Sequence, residues 1–199
     1  MLRRKCEHMR RIHDLAGDPP LRRREAGFEG LARIVVGQQV SVASANAIWG
    51  RFAEAVQPMT VERITCLDDP VLLAVGLSRP KVRTLRAITD AVMRGGLDLE
   101  GFGTVADAEV REKLIAVSGI GPWTADLFLM FCLGRADVFA PGDLALQVAA
   151  QMAMGLDARP SPVEMQTIAE RWSPWRGVAA RMLWAYYKVA KDAKSGVPV

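Results

Sequence analysis

Cysteine and histidine are scarce, with three of the first and two of the second in 199 residues. Cys6, Cys66 and Cys132 are odd in number and scattered, which excludes a disulfide framework and argues for a reducing compartment. His8 and His13 lie in a basic stretch without partners at metal-ligand spacing, which speaks against catalytic zinc. No apolar run is long enough to span a membrane, and Met1-Leu2-Arg3-Arg4-Lys5 lacks the apolar core of a signal peptide. The chain therefore reads as cytoplasmic, with no membrane partner. Strand-like alternation of useful length, internal repeats and low-complexity segments are also missing, which leaves an all-helical chain.

Hydrophobic residues make up 50% of the sequence, enough to bury a sizeable interior, and the length suits one compact domain or two small lobes sharing a core. Lys and Arg number 26 against 22 Asp and Glu, a formal charge of +4. With a pI near 9.2, that balance favours a polyanionic partner without defining one. Residues 1–26 form a basic helical segment interrupted at Gly17-Asp18-Pro19-Pro20, whose arginines suit a solvated face, with phosphate contact as the alternative.

Phe28, Leu31, Ala32, Ile34 and Val35 predict a helix face that ends at Gly37-Gln38-Gln39, and Ser41 reads as the N-cap of the next helix, Val42 to Ala55. Asp69-Pro70 opens a short helix closed by Gly76. Ser78-Arg79-Pro80-Lys81 opens a long one to Met93, with Lys81 and Arg83 expected to face solvent and DNA contact as the alternative. Further on, Thr104 reads as an N-cap, Leu144 to Met154 as a helix, and Ser161-Pro162-Val163-Glu164 as a capping box. The last helix is expected over Val178 to Lys191, followed by a flexible tail over 193–199.

The stretch with the most information is Leu114 to Asp126. An apolar helical segment runs into Gly119-Ile120-Gly121, Pro122 suits the first turn of a second helix, and Thr124 to Cys132 continues in helical spacing. This predicts a helix, a glycine hairpin and a helix over about 106–132. Glycines let the hairpin amides lie flush against a ligand, and amides at a helix start suit an anion such as a nucleic-acid backbone. Ile120 is placed as the apolar peg between the two helices. From Gly-x-Gly alone, an ordinary helix-turn-helix corner serves equally well.

Val-Ser-Gly-Ile-Gly-Pro-Trp-Thr-Ala-Asp (117–126), followed by Asp-Val-Phe-Ala-Pro-Gly-Asp-Leu-Ala-Leu (137–146), resembles the signature of the helix-hairpin-helix (HhH-GPD) DNA glycosylase superfamily. Within it the chain looks most like the alkylated-base branch, the 3-methyladenine DNA glycosylase II type. Val35-Val36-Gly37-Gln38-Gln39-Val40-Ser41, Gly76-Leu77-Ser78-Arg79-Pro80-Lys81, and Trp172-Ser173-Pro174-Trp175-Arg176 with Leu183-Trp184 fit the same pattern. The five motifs occur in order between about Phe28 and Tyr187.

The resemblance implies an all-α, two-lobed glycosylase domain over 27–192 with a DNA-binding cleft between the lobes. The N-terminal β domain that relatives often carry is not expected. It implies a monomer acting on double-stranded DNA with damaged bases, whose backbone is met by Gly119, Ile120, Gly121 and Thr124 of the hairpin. Asp143 matches the family's catalytic aspartate, a carboxylate that stabilises an oxocarbenium-like sugar and directs water. Read in isolation, an aspartate after Pro-Gly is a routine N-cap.

Gln39 matches the side chain that fills the gap when a nucleotide is extruded, with a capping or core-network amide as the alternative for Gln38 and Gln39. Trp123 stands where the lyase branch carries a nucleophilic lysine, which implies a monofunctional glycosylase without strand nicking. Trp123 and Trp184 are assigned to the base pocket, where an indole attracts a cationic alkylpurine, and core filling is the alternative for each. Ala185 and Leu127 fall where close relatives carry aromatics, which widens the expected pocket.

No cofactor is expected. The iron–sulfur cluster of some members needs four closely spaced thiolates, which this chain does not have. A structural Na⁺ or K⁺ ion on the carbonyls of Ile115, Val117 and Ile120 is the one ion the resemblance allows. Two other functions stay open at this point, namely a glycosylase for a deaminated or oxidised base and a non-catalytic DNA-binding module.

Overall fold

The computed structural model describes residues 2–195, and all regular structure among them is helical. The helices are α1 (Leu2–Lys5), α2 (Glu7–Ala16), α3 (Phe28–Val36), α4 (Val42–Ala55), α5 (Val61–Thr65), α6 (Asp69–Ala74), α7 (Arg79–Met93), α8 (Asp107–Ile115), α9 (Pro122–Leu127), α10 (Leu144–Met154), α11 (Pro162–Glu170) and α12 (Arg176–Ser195). A 3₁₀ turn covers Gly101–Thr104, and α9 widens into a π turn over Phe128–Cys132. Residues 1–22 and 135–199 make one compact unit, and residues 23–134 make the other.

In the second unit, α7 is the central helix. Val82, Leu85 and Ile88 on one of its faces are buried, against α3, α5 and α6. Of the face expected on α3, Leu31, Ala32, Ile34 and Val35 are buried at 1% exposure or less, as is Val36, while Phe28 is half-buried. Local chemistry sets several starts: the Ser41 hydroxyl accepts from Ser44 N–H at 3.1 Å, and Thr60 does the same for Arg63 N–H at 3.2 Å. Thr104 departs from its expected role. It ends the 3₁₀ turn with its hydroxyl directed at Gly101 O, and Ala106 stands at the N-cap of α8.

The first unit is built on α12, which packs along α2 and α10. Met9 and Ile12 of α2 are fully buried while Arg3, Arg4, Arg10 and Arg11 stay exposed, so the basic N-terminal segment is a core-forming amphipathic helix with a solvated basic face. Up to residue 22 this segment groups with residues 135–199 and from residue 23 with the other unit, whereas the sequence sets it apart as residues 1–26. The capping box at Ser161 forms, with Ser161 N–H donating to Glu164 at 2.7 Å. Helix α12 runs one turn beyond the expected Lys191, and residues 196–199 of the expected tail lie outside the described residues.

The start of α12 is fixed by one carboxylate. Asp137 accepts from Arg176 Nε at 2.9 Å and Nη2 at 2.8 Å, from the Arg176 backbone N–H at 3.2 Å, and from the Ser173 hydroxyl at 2.9 Å. These bonds, the Arg176 side chain first, hold the Asp137 carboxyl below the usual carboxylate range. Gly177 completes the joint: its N–H donates to Ala136 O at 2.8 Å, and a Cβ there would sit 2.9 Å from the same oxygen.

Helices α8 and α9 are joined by an ion pair between Arg111 and Asp126, whose side chain is only 1% exposed. Burial pushes the Asp126 carboxyl up to about 6, with the Arg111 guanidinium pulling the other way. The unfolded carboxyl releases its proton near pH 4. Between the two values the folded chain holds a proton that the unfolded chain has lost. Raising pH through this window therefore lowers stability, and the full contribution is present only below it. Denaturant midpoints between about pH 4.5 and 6.5 should fall more for the natural chain than for Asp126→Asn; parallel profiles would remove Asp126 as the cause.

Candidate active site and nucleic-acid interface

Asp143 is positioned first by the local chain and then by side chains from α10 and α12. Ala140-Pro141-Gly142-Asp143 closes a turn in which Asp143 N–H donates to Ala140 O at 3.0 Å, and the proline presets its own φ within it. Asp143 Oδ1 then accepts the capping bond from Leu146 N–H at 3.0 Å. The same oxygen accepts from the Trp184 indole Nε1–H, also at 3.0 Å. Gln147, 6% exposed, donates from its side-chain amide to Pro141 O at 2.9 Å and ties the turn down from beneath.

Asp143 itself is half-buried. The result is a carboxyl group held by two N–H donors, reachable from outside, and anchored to two helices of one unit. That arrangement suits electrostatic stabilisation of a developing cation, because no reorganisation of the carboxylate is needed as charge appears. Capping and a chemical role share the same side chain. The sequence assigns Trp184 to a base pocket; in the structure its N–H is bonded to the carboxylate. Gln147 escaped the sequence reading, because a glutamine inside an apolar helix gives no sign of which carbonyl it will meet.

In the other unit the hairpin forms between α8 and α9. Gly119 has φ +86°, which disfavours any side chain, and a Cβ there would overlap the Thr84 hydroxyl of α7. Gly121 differs: its φ is −98°, open to all residues, and nothing lies within 4 Å of where its Cβ would be. Only Gly119 is required by the fold, while Gly121 leaves the hairpin surface bare. Ile120 is 4% exposed and serves as the apolar peg, so its backbone alone can meet a ligand. Thr124 is 2% exposed and its hydroxyl accepts from Gln38 Nε2 at 2.9 Å, so the side chain expected at the DNA backbone is turned inward. Trp123 lies half-buried in the first turn of α9.

The two adjacent glutamines have divided their roles. Gln38 is the network amide, reaching Thr124 Oγ1 and, at 3.4 Å, Gly119 O. Gln39 is exposed and holds φ +55°, unusual for a residue with a side chain. Lys81 overturns its expected place in solvent. It is 8% exposed, donates from Nζ to Val36 O at 2.8 Å, and burial lowers its pKa. Arg83 is exposed as expected.

A helix, glycine hairpin and helix in one unit, and a half-buried aspartate capping a helix in the other, define a helical nucleic-acid-binding protein with a carboxylate available for chemistry. The chain belongs to the HhH-GPD superfamily of base excision DNA repair proteins, whose pattern matches residues 32–174. It is 32% identical over 171 residues to DNA-3-methyladenine glycosylase 1 of Schizosaccharomyces pombe, covering 84% of this chain and 75% of that protein. Against DNA-3-methyladenine glycosylase 2 of Escherichia coli the identity is 30%, over 79% of this chain and 56% of the other. The chain thus spans little more than half the length of that bacterial relative. Among solved structures, the S. pombe 3-methyladenine DNA glycosylase in complex with abasic DNA superposes with a TM-score of 0.86 at 30% identity, covering 92% of each chain.

Proposed function

We propose that the protein is a monofunctional DNA glycosylase that removes alkylated purines of the 3-methyladenine type from duplex DNA. The observation that carries this reading is the Asp143 carboxyl, fixed on Oδ1 by Leu146 N–H and Trp184 Nε1–H, in a chain of this family. The relatives named above are 3-methyladenine glycosylases and support the same substrate class.

The N-glycosidic bond breaks with the electron pair leaving on the base and positive charge developing at C1′. Asp143 stabilises that charge and directs the water that adds to the sugar. An alkylated purine already carries positive charge on its ring and leaves as a neutral base, so no strong general acid is needed. Trp123 occupies the position where a lysine would form a Schiff base, and an indole offers no such nucleophile. Its face suits stacking on an electron-poor purine. The hairpin supplies backbone amides and the bare surface of Gly121 for a phosphate, and Gln39 enters the space of the extruded nucleotide.

The carbonyls of Ile115, Val117 and Ile120 are neutral hard donors of the kind that would suit Na⁺ or K⁺. Val117 O accepts from Ile120 N–H at 3.0 Å and keeps a second lone pair. The test is base release from methylated duplex DNA, with strand cleavage and borohydride trapping scored separately. Free alkylpurine with intact, alkali-labile strands is the expected result. A trapped covalent adduct would overturn the assignment to water-based hydrolysis, and absence of release from every methylated base would overturn the substrate class.

A further inference from the structure

Lys81 is a cation in an unfavourable place. It sits in the first turn of α7, where the helix dipole disfavours positive charge, it is 8% exposed, and among the described residues no carboxylate is paired with it. It donates to the carbonyl of Val36, the last residue of α3. There the dipole has the opposite sign and an ammonium is favoured. Three residues later comes Gln39, exposed and in the left-handed region. Between them Gln38 reaches across to Gly119 O and Thr124 Oγ1 of the hairpin. One turn along the same face of α7, Thr84 lies against Gly119.

We propose that Lys81 and Gln38 are positioning residues that hold the Gln39 wedge at a fixed place relative to the hairpin. Lys81 clamps the end of α3 from beneath, and Gln38 ties the loop to the hairpin from the side. A residue with a side chain keeps a left-handed backbone only where its surroundings over-determine it, and the three bonds made by Lys81 and Gln38 fix the chain that leads into Gln39. Because Lys81 and Thr84 sit one turn apart on α7, a single rigid helix spaces the wedge from the phosphate-binding turn. A wedge displaced by an ångström would enter the duplex stack off centre while the hairpin still docked. This inference rests on the glycosylase reading for its purpose, but its geometry is independent of the chemistry.

The experiment uses the full chain with Lys81→Met, which keeps the stem and removes the ammonium, and Gln38→Ala as a second variant that leaves the buried cation in place. Duplexes carry 2-aminopurine stacked beside an abasic site, so fluorescence reports wedge insertion whether or not the protein releases bases. Both variants are expected to lose most of the fluorescence rise at saturating protein, with affinity for undamaged duplex within about threefold of the natural chain. Single-turnover base release should fall about tenfold on a paired lesion and recover when the lesion faces a mismatch, where extrusion is easier. Adding either substitution to Gln39→Ala should cost nothing further, since all act through one side chain.

Unchanged fluorescence in Gln38→Ala and in folded Lys81→Met would overturn the proposal, as would equal losses on paired and mismatched lesions. Additive effects with Gln39→Ala would do the same. Should the natural chain raise the fluorescence without releasing any base, the glycosylase reading fails while the positioning role is still measured.

Discussion

Asp143→Asn is expected to lower the single-turnover rate of base release by at least about 10²-fold while leaving duplex affinity nearly unchanged. The substitution isolates charge. Asparagine has the same shape and its oxygen still accepts from Leu146 N–H, so α10 keeps its cap and the unit its packing. What disappears is the negative charge that opposes the cation at C1′. Trp184→Phe separates holding the carboxylate from possessing it. An aromatic ring stays, smaller by the pyrrole part of the indole, the N–H to Oδ1 is lost, and a smaller loss, about tenfold and mainly in kcat, is expected. If Asp143→Asn retained full activity, the carboxylate would be a helix cap and nothing more, and the chemistry would have to come from another group.

Gly119→Ala should be the most damaging single methyl in the hairpin, at a cost of about 2–4 kcal/mol. Two penalties add there. A side chain at φ +86° is strained, and the new Cβ overlaps the Thr84 hydroxyl and lies 2.8 Å from the Thr84 Cβ. Denaturation followed by tryptophan fluorescence measures the loss. Adding Thr84→Ala should recover the part due to the hydroxyl and leave the strain and the close Cβ–Cβ approach. Gly121→Ala is the control: φ −98° and open space predict a stability change under about 0.5 kcal/mol, and weakened duplex binding is expected if this face meets phosphate as proposed. Equal destabilisation by the two alanines would show that the hairpin tolerates neither and that the distinction between the glycines is wrong.

Features written in neighbouring residues were legible in the sequence. The bounds of α4, Val42–Ala55, and α10, Leu144–Met154, follow from Ser41 and Asp143 as caps and from apolar spacing between them. The capping box at Ser161, the hairpin between α8 and α9, and Ile120 as its peg are of the same kind, because each is decided within a few residues. The resemblance, built on five ordered motifs, led to the family. It also pointed to Asp143 and Gln39.

What needed the tertiary structure was every contact made across the chain. Lys81 is solvated or buried according to where α3 ends, and that helix lies 45 positions away in sequence. Trp184 meets Asp143 across 41 positions. Thr124 turns inward because Gln38, 86 residues earlier, needs an acceptor. Gln38 and Gln39 are identical and adjacent, so composition could not divide their roles; the backbone angle at Gln39 did. Local propensity specifies helices and their caps, but which polar groups lose water is settled by the packing of distant helices. In this chain that packing holds the Asp143 carboxylate and the loop that carries Gln39.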